Sequence, residues 1–425
     1  MVLPEEVAAR LLADAVYYRT TLRLVARDFF ALNPQLGYLK PIVRVLTLNV
    51  ARNYLLLDRV LGSLGYGPPS HSYRWMLARV LAYEAVFGKL KRGRVEKLAF
   101  KARVRAEDII ALKQRGMRPR DFVRGLGGLD RLSVLYSFPR WMVEELVEAE
   151  HENLPRLLEA LNQNPTRWIR VAPWVDRRSL EKRLKSEGVT VKWDGDLNDV
   201  AMVVEGGEKL TRTRAYREGL YAVQDKASVL VSHVAKPQGL VAGDVTCGAA
   251  VKASHMAWLG ARYVLGGDVK VGRLKEARHV VRRLKVDHVV DFFVGDARRP
   301  PIRELQVYLV DPPCTDLGRL QYEPEVKMWL TRSDLKLYQR TQKQILRSIV
   351  ERASRGSTIV YSVCTLTASE TVKIVKGVVG ETGEAEIVRA EPMLGVKAKR
   401  LPEAQWMLPH LHKTQGFFIA KIVKL

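Results

Sequence analysis

The sequence predicts a multidomain chain with an all-α N-terminal domain, a small α/β module, and an α/β Rossmann-like domain whose sheet is mostly parallel. The length of 425 residues exceeds what one hydrophobic core usually serves. Apolar residues recur at intervals of three and four up to about residue 160. From about residue 220, short apolar runs rich in valine alternate with helical segments. This alternation is typical of a parallel sheet covered by helices on both faces.

The predicted helical domain covers residues 1–130. Its beginning predicts a helix of the mature protein rather than a signal peptide, because two glutamates come early and no cleavable apolar segment follows. Basic residues lie between the apolar ones in 92–124, which fits either an ordinary solvated helix face or a surface that faces phosphates. Segments with apolar residues at helical spacing are 11–32, 41–64 and 73–90.

The small α/β module is predicted over residues 131–220 and the Rossmann-like domain over 221–425. Strand-like segments of the module are 166–171, 189–193 and 199–207, with a helical segment at 176–188. Apolar runs of strand length in the last domain are 240–245, 263–269, 288–296, 306–311 and 357–363.

The charge of the chain is strongly unbalanced. Seventy Lys and Arg residues against 46 Asp and Glu residues give a formal net charge of +24. Such an excess predicts a nucleic-acid partner, with a generally basic surface as the alternative. The charge is spread along the chain and no run of 18 apolar residues occurs, so we expect neither membrane binding nor a membrane span. No obligate protein partner is evident.

The chain has three cysteines, Cys247, Cys314 and Cys364. An odd, widely spaced set argues against a disulfide framework and against a zinc site, and we expect no metal. A reducing cytoplasm is the simplest setting, and there a free thiol can serve as a nucleophile. A free cysteine is more often a small buried hydrophobe. However, Cys314 and Cys364 follow adjacent predicted strands, which places both thiols at the ligand-binding edge of the sheet.

Four acids lie at or just beyond strand ends: Asp244, Asp268, Asp296 and Asp311. The carboxyl ends of parallel strands form the ligand-binding edge, and the acid after the second strand can accept the ribose hydroxyls of a nucleotide. The loop "TCGAAVK" after the first acid leads into a helix, whose free N–H groups suit a polar or anionic ligand. The pattern predicts an adenosine-type cofactor. In the alternative, the acids only cap the following helices.

The stretch "DPPC" at residues 311–314 suggests the chemistry. An aromatic residue after Asp-Pro-Pro would stack on a flipped base and suit methylation of an exocyclic amine. A thiol cannot stack, but it can add to a carbon. Addition of a thiolate to C6 of cytosine, helped by a carboxyl group at N3, makes C5 nucleophilic. The cysteine therefore favours C5 methylation, and an exocyclic-amine methyltransferase stays as an alternative.

These stretches resemble the Sun-domain RNA cytosine-C5 methyltransferases, an RsmB-like family that uses S-adenosylmethionine. "VDPPCTDLG" and "YSVCTLTASE", which includes Glu370, resemble the fourth and sixth motifs of the family. The likeness covers roughly residues 130–425. It implies a class I methyltransferase domain over 221–425, an RNA-recognition-like pre-catalytic module before it, and a NusB-like RNA-binding domain in the helical N-terminus. The implied partner is ribosomal or transfer RNA.

The resemblance also implies roles for residues. Cys364 would be the nucleophile, Cys314 would assist release of the methylated base, and Asp311 would serve the cytosine ring and the cofactor. The reverse assignment, with Cys314 as the nucleophile, is what DNA cytosine methyltransferases would suggest. The implied cofactor-binding residues are Asp244, Thr246, Cys247, Gly248, Ala249, Ala250, Val251, Lys252, Asp268, Arg273, Asp296 and Asp311.

The first motif departs from the family pattern. Asp244 and Lys252 keep their spacing, but Ala249, Ala250 and Val251 replace Pro-Gly-Gly. Glycine permits positive φ and close backbone approach, which a β-branched valine does not. Val363 also replaces the usual threonine before the nucleophile. The alternative function is therefore a catalytically weak or inactive RNA-binding scaffold with a degenerate cofactor loop.

Overall fold

The computed structural model describes residues 2–89 and 91–425. The chain forms two compact units, the first reaching to Gln163 and including Arg319–Arg332, the second comprising Asn164–Gly318 and Ser333–Leu425. The first unit thus contains helices that the sequence-based division had grouped with the small α/β module. The division into three functional parts remains a prediction. Among the described residues, no helix combines the length and apolarity needed to cross a membrane.

The helices are α1 (Pro4–Tyr17), α2 (Leu22–Leu32), α3 (Lys40–Arg52), α4 (Tyr54–Ser63), α5 (Tyr73–Val86), α6 (Arg92–Ala102), α7 (Ala106–Arg115), α8 (Gly128–Tyr136), α9 (Arg140–Glu148), α10 (Leu154–Leu161), α11 (Arg177–Ser186), α12 (Arg214–Arg217), α13 (Lys226–Ala235), α14 (Val251–Trp258), α15 (Val271–Arg283), α16 (Val326–Trp329), α17 (Arg332–Arg352), α18 (Val372–Thr382) and α19 (Pro409–His412). The strands are β1 (Arg167–Val171), β2 (Thr190–Trp193), β3 (Val200–Glu205), β4 (Tyr221–Val223), β5 (Val241–Asp244), β6 (Tyr263–Asp268), β7 (Val290–Val294), β8 (Val307–Val310), β9 (Thr358–Val363), β10 (Ala385–Val388), β11 (Val396–Ala398), β12 (Leu401–Met407) and β13 (Phe417–Lys424).

The N-terminal helices follow the predicted apolar periodicity. Leu11, Leu12, Leu56 and Leu57 are buried in one core. Two of the long predicted segments are each divided into two helices. The side chain of Thr21 accepts a hydrogen bond from the N–H of Leu24 and starts α2, because such a cap satisfies a donor that has no partner within the helix. The prediction of an all-α N-terminal region is confirmed.

The segment Arg319–Arg332 belongs to the first unit although it lies between β8 and α17 in the chain. Lys327 is fully buried there, and its Nζ donates to Oδ1 of Asn162 at 2.7 Å and to the carbonyl of Arg52 at 3.3 Å. Burial lowers the pKa of Lys327 well below its usual value. No sequence-based expectation covered this insertion, because no local pattern links the segment to the helical core.

The second unit contains two sheets. The small sheet has the antiparallel order β2-β3-β1-β4. The large sheet has the order β11-β12-β13-β9-β8-β5-β6-β7, with β10 paired to β13. The run from β9 to β7 is parallel, and the strands beyond β9 are antiparallel. The predicted Rossmann-like domain with a mostly parallel centre is thus confirmed. The strand order reverses between β5 and β8, which makes that point the expected ligand crevice.

Candidate active site

The loops after β5 and β8 are joined at the point where the strand order reverses. The N–H of Asp311 donates to Oγ1 of Thr246 at 2.8 Å. Nζ of Lys252 is hydrogen-bonded and ion-paired to Oδ2 of Asp311. Burial lowers the pKa of Lys252, but the charge and hydrogen bond of Asp311 outweigh burial, so the pKa is raised. The lysine that keeps its motif spacing therefore holds the carboxylate of the Asp-Pro-Pro stretch.

The cofactor loop keeps a left-handed turn despite its alanines. Gly248 and Ala250 have φ of +53° and +58°, and the N–H of Ala250 donates to the carbonyl of Cys247 at 2.8 Å. Val251 is the first residue of α14 and needs no positive φ. Ala250 therefore occupies a conformation that costs about 1–2 kcal/mol for a residue with a Cβ. Valine at the third replaced position is compatible with this backbone.

Ala250→Gly is expected to raise the free energy of unfolding by roughly 0.5–1 kcal/mol. Relief of the left-handed strain exceeds the added flexibility of the unfolded chain. Denaturant unfolding measures the change as a higher midpoint. Ala257→Gly in α14 is the matched control, because a helical glycine should cost about 1 kcal/mol. An equal loss of unfolding free energy in the two variants would show that the turn at Ala250 is not strained.

The predicted strand-end acids have different surroundings. Asp244 is 2% exposed, and burial raises its pKa to about 7. Asp268 is also buried, accepts a hydrogen bond from the N–H of Lys270 at 2.8 Å, and lies 3.7 Å from Nη1 of Arg273. Asp296 is partly exposed and pairs with Arg298, whose hydrogen bonds lower the pKa of that carboxyl. Asp244 and Asp268 end neighbouring strands, as the sequence predicted.

Two of the three thiols lie together. Sγ of Cys314 is 3.4 Å from Sγ of Cys364, and the thiol of Cys364 donates to Oδ1 of Asp316 at 2.8 Å. Cys314 is buried and Cys364 is half-buried. The hydrogen bond to Cys364 and burial raise the pKa of Cys314 well above that of an ordinary thiol. Cys364 is thus the more accessible thiol, and Cys314 is held in the neutral form.

The third thiol takes no part in this pair. A Cβ built on Gly266 would lie 3.2 Å from Sγ of Cys247, so this cysteine packs against strand β6. Burial raises the pKa of Cys247, which keeps its thiol neutral. Asp316, the hydrogen-bond partner of Cys364, was not among the predicted site residues. Its position two residues after Cys314, inside the motif-like stretch "VDPPCTDLG", is the sequence signal that could have identified it.

Glu370 connects the two cysteine loops. It is fully buried, and its carboxylate accepts hydrogen bonds from the N–H and Oγ1 of Thr315 at 2.8 and 2.5 Å. It also accepts from Oγ1 of Thr365 at 3.1 Å, Oγ1 of Thr367 at 2.8 Å and Nε2 of Gln342 at 3.0 Å. Burial raises the pKa of Glu370 although these hydrogen bonds oppose the shift. Thr315 and Thr365 directly follow the two cysteines, so one carboxylate fixes both loops.

A close backbone approach adds a second connection between these loops. The N–H of Gly318 donates to the carbonyl of Cys364 at 3.0 Å, and the N–H of Gly416 donates to the carbonyl of Gly318 at 2.9 Å. A Cβ on Gly318 would lie 1.8 Å from the carbonyl oxygen of Gly416, which no side chain could tolerate. The separation of the two thiols is therefore set by backbone contacts as well as by Glu370.

Part of the second unit matches a known protein family. Residues 237–423 match the family described as 16S rRNA methyltransferase RsmB/F. Ribosomal RNA small subunit methyltransferase B of Vibrio vulnificus is 27% identical over 318 residues, covering 72% of this chain and 72% of that protein. A Bacillus subtilis protein, named probable ribosomal RNA small subunit methyltransferase B, is 27% identical over 312 residues, covering 69% of this chain and 68% of its own.

Solved structures share the fold. The crystal structure of PH0851 superposes with a TM-score of 0.78 at 20% identity, over 100% of this chain and 99% of that one. NSun6 from Pyrococcus horikoshii, solved with SFG, has a TM-score of 0.61 at 20% identity and covers 68% of this chain and 98% of its own. At this level of identity the two structures establish the fold alone.

Proposed function

We propose that this chain methylates C5 of a cytosine in RNA with S-adenosylmethionine as methyl donor. The premise is that residues 237–423 match the RsmB/F family of 16S rRNA methyltransferases. The observation that carries the proposal is the pair of thiols 3.4 Å apart, Cys314 and Cys364, on the loops that follow β8 and β9. The names of the 27%-identical relatives favour ribosomal RNA over transfer RNA as the substrate.

In the proposed reaction, the sulfur of Cys364 forms a bond with C6 of the cytosine. Oδ1 of Asp316, 2.8 Å from that sulfur, can take the thiol proton. Asp311, held by Lys252, would accept a hydrogen bond from N3 of the cytosine when N3 is protonated, and the protonated ring can take the sulfur without becoming negatively charged. The cofactor supplies a methyl group in electrophilic form. The C5 proton then passes to solvent water, and the electrons of the C5–H bond re-form the C5–C6 double bond. The sulfur of Cys364 leaves C6 as a thiolate and takes back the proton held by Asp316, and the adjacent Cys314 would assist this release.

The residues at the strand ends fit an adenosine-type cofactor. A Cβ built on Gly248 would have no atom within 4 Å, so the loop before α14 leaves open space at this point. The carboxylate of Asp268 ends the second parallel strand and would accept the ribose hydroxyls. Asp244 and the N-terminus of α14 would face the polar part of the cofactor. This fit argues against the scaffold alternative, since the replaced residues still form the turn.

Asp268→Ala is expected to weaken S-adenosylmethionine binding by about 1.5–3 kcal/mol, because two hydrogen bonds to a charged acceptor are lost. The dissociation constant should rise roughly 10- to 150-fold, as measured by titration calorimetry. Asp291→Ala is the control, since Asp291 is an exposed acid in β7 of the same sheet. An unchanged affinity in Asp268→Ala would contradict the assigned role. No binding by the wild-type chain would favour the scaffold.

The proposal of an RNA partner rests on the net charge of the chain and on its match to the RsmB/F family. The net charge of +24 suits phosphate contacts, which dominate the affinity of proteins for nucleic acid. The NusB-like character of the helical N-terminal region remains part of the proposal. A target cytosine must leave its stack to reach Cys364, so a single-stranded or loosely paired site should react best.

The deciding experiment is methylation of small-subunit ribosomal RNA by the purified chain. Nucleoside chromatography should reveal 5-methylcytidine, and bisulfite sequencing should locate it at one cytosine. Formation of N4-methylcytidine instead would overturn the C5 proposal and support the exocyclic-amine alternative. Methylation of transfer RNA but not of ribosomal RNA would change the substrate and leave the chemistry intact.

A further inference from the structure

A cluster of two histidines and one aspartate lies in the second unit. Asp199 directly precedes β3, His233 lies on α13 and His255 lies on α14. Nε2 of His255 is 2.8 Å from Oδ2 of Asp199, and Nε2 of His233 is 3.0 Å from Oδ1 and 3.1 Å from Oδ2. One ligating atom of each residue lies within 4.8 Å of the others. Three separate elements thus bring two imidazoles and one carboxylate together at one point.

We propose that Asp199, His233 and His255 form a binding site for a divalent transition-metal ion of the zinc class. Zinc bonds to histidine nitrogen and carboxylate oxygen are about 2.0–2.2 Å long, so tetrahedral donors lie roughly 3.3 Å apart. The nitrogen–oxygen distances of 2.8–3.1 Å require the donors to separate by only a few tenths of an ångström. A mixed set of imidazole and carboxylate suits zinc, whereas magnesium and calcium prefer oxygen donors alone.

The exposure of the cluster would admit an ion, and its protonation must change when an ion binds. The carboxylate of Asp199 favours a proton on both Nε2 atoms, and these hydrogen bonds alone explain the short distances. Nδ1 of His255 bonds to no group among the described residues, so it can take the proton that an ion would displace from Nε2. The side chains of His233 and Asp199 are 24% and 22% exposed, while that of His255 is 1% exposed. An ion can therefore arrive from the solvent side and keep water as a fourth ligand.

A neighbouring cation limits the affinity. Arg170 on β1 is fully buried, and its Nη2 donates to Oγ of Ser254 at 3.0 Å, next to His255 in the chain. Its positive charge repels a bound dication and lowers the affinity of the site. Only divalent ions that bind imidazole and carboxylate tightly, such as Zn²⁺, would therefore be retained. The ion would connect Asp199, at the start of a strand of the small sheet, to helices α13 and α14. Its expected effect is on the stability of this junction within the second unit.

The test uses the full chain after removal of metals with a chelator. Titration with Zn²⁺ should show that the wild-type chain binds one ion more than His233→Gln, and Zn²⁺ should raise the Tm of the wild type more than that of His233→Gln. His233 is chosen because its partial exposure favours a folded variant. His279→Gln, an exposed substitution on α15, is the control and should bind Zn²⁺ like the wild type.

A second cluster could compete for the ion, because ligating atoms of Cys314, Asp316 and Cys364 also lie within 4.8 Å of one another. Co²⁺ distinguishes the two, since thiolate ligands give near-ultraviolet charge-transfer bands and imidazole–carboxylate ligands do not. Cys364→Ser should keep the ion that His233→Gln and Asp199→Asn lose. Equal Zn²⁺ binding by wild type and His233→Gln would overturn the proposal and leave a cluster joined by hydrogen bonds alone. Loss of the ion in Cys364→Ser only would overturn it in favour of the thiols.

Discussion

Cys364→Ala abolishes turnover and forms no covalent adduct with RNA, whereas Cys314→Ala accumulates a protein–RNA adduct: this pair of results is expected if Cys364 is the nucleophile. Loss of a nucleophile that forms a covalent intermediate typically costs 10³-fold or more in rate, roughly 4 kcal/mol. The 3.4 Å between the two sulfurs brings the second thiol to the bond that must break. Without Cys314, attack and methylation can proceed while release fails.

Denaturing electrophoresis measures the adduct as a band of reduced mobility that contains both protein and RNA. Control reactions omit S-adenosylmethionine or replace the target cytosine with uridine, and neither should give the band with Cys314→Ala. Both variants should bind RNA and cofactor as the wild type does. A trapped band in Cys364→Ala and none in Cys314→Ala would reverse the assignment, making the buried thiol the nucleophile.

Glu370→Ala should destabilise the chain by about 3–5 kcal/mol and sharply reduce kcat. The substitution leaves the N–H of Thr315 and one of the two N–H bonds on Nε2 of Gln342 buried without an acceptor, while the other still donates to the carbonyl of Pro313. Each unsatisfied donor costs roughly 1–3 kcal/mol. Both cysteine loops lose the group that holds them, so the two sulfurs no longer keep one fixed separation. Unfolding curves and single-turnover rates measure the two effects separately.

Glu370→Gln removes the negative charge of the side chain but keeps its shape. The amide oxygen can still accept from Thr315 N–H, and the neighbouring threonine hydroxyls can rotate to accept from the amide nitrogen. We expect an intermediate loss of stability and a partial rescue of the rate of adduct formation. Glu381→Ala removes an exposed carboxylate that pairs with Lys343 and Arg347, and the midpoint of unfolding should stay close to that of the wild type. An adduct rate in Glu370→Ala equal to that of the wild type would limit Glu370 to a structural role.

The sequence was sufficient for the sheet and for much of the candidate site because both follow from local patterns. Apolar runs end at acids, and parallel strands bring their carboxyl ends to one edge, so the proximity of Asp244, Asp311 and the two cysteines could be predicted. The replacement of Pro-Gly-Gly by Ala249, Ala250 and Val251 pointed to a degenerate loop, and the sequence could not show that Ala250 takes the positive φ.

Long-range convergence was not predictable from one sequence. Asp199, His233 and His255 are widely spaced and lie on three elements, and no local pattern joins them. The expectation of no metal rested on the number and spacing of the cysteines and did not consider these histidines. The five hydrogen bonds of Glu370 likewise depend on how two loops and a helix meet in space. Its position six residues after Cys364 marked it as part of a motif but did not reveal what it holds.

The segment Arg319–Arg332 determines how this protein can be divided. Because it belongs to the first unit, the polypeptide passes between the units after Gln163, after Gly318 and after Arg332. A gene fragment that starts at residue 164 would therefore still encode Arg319–Arg332, a segment that packs in the first unit. In such a fragment Lys327 would lack its hydrogen-bond acceptors on Asn162 and Arg52. The helical unit therefore cannot be exchanged between proteins by replacing the N-terminal part of the gene alone. Recombination would have to replace two distant stretches of the gene together.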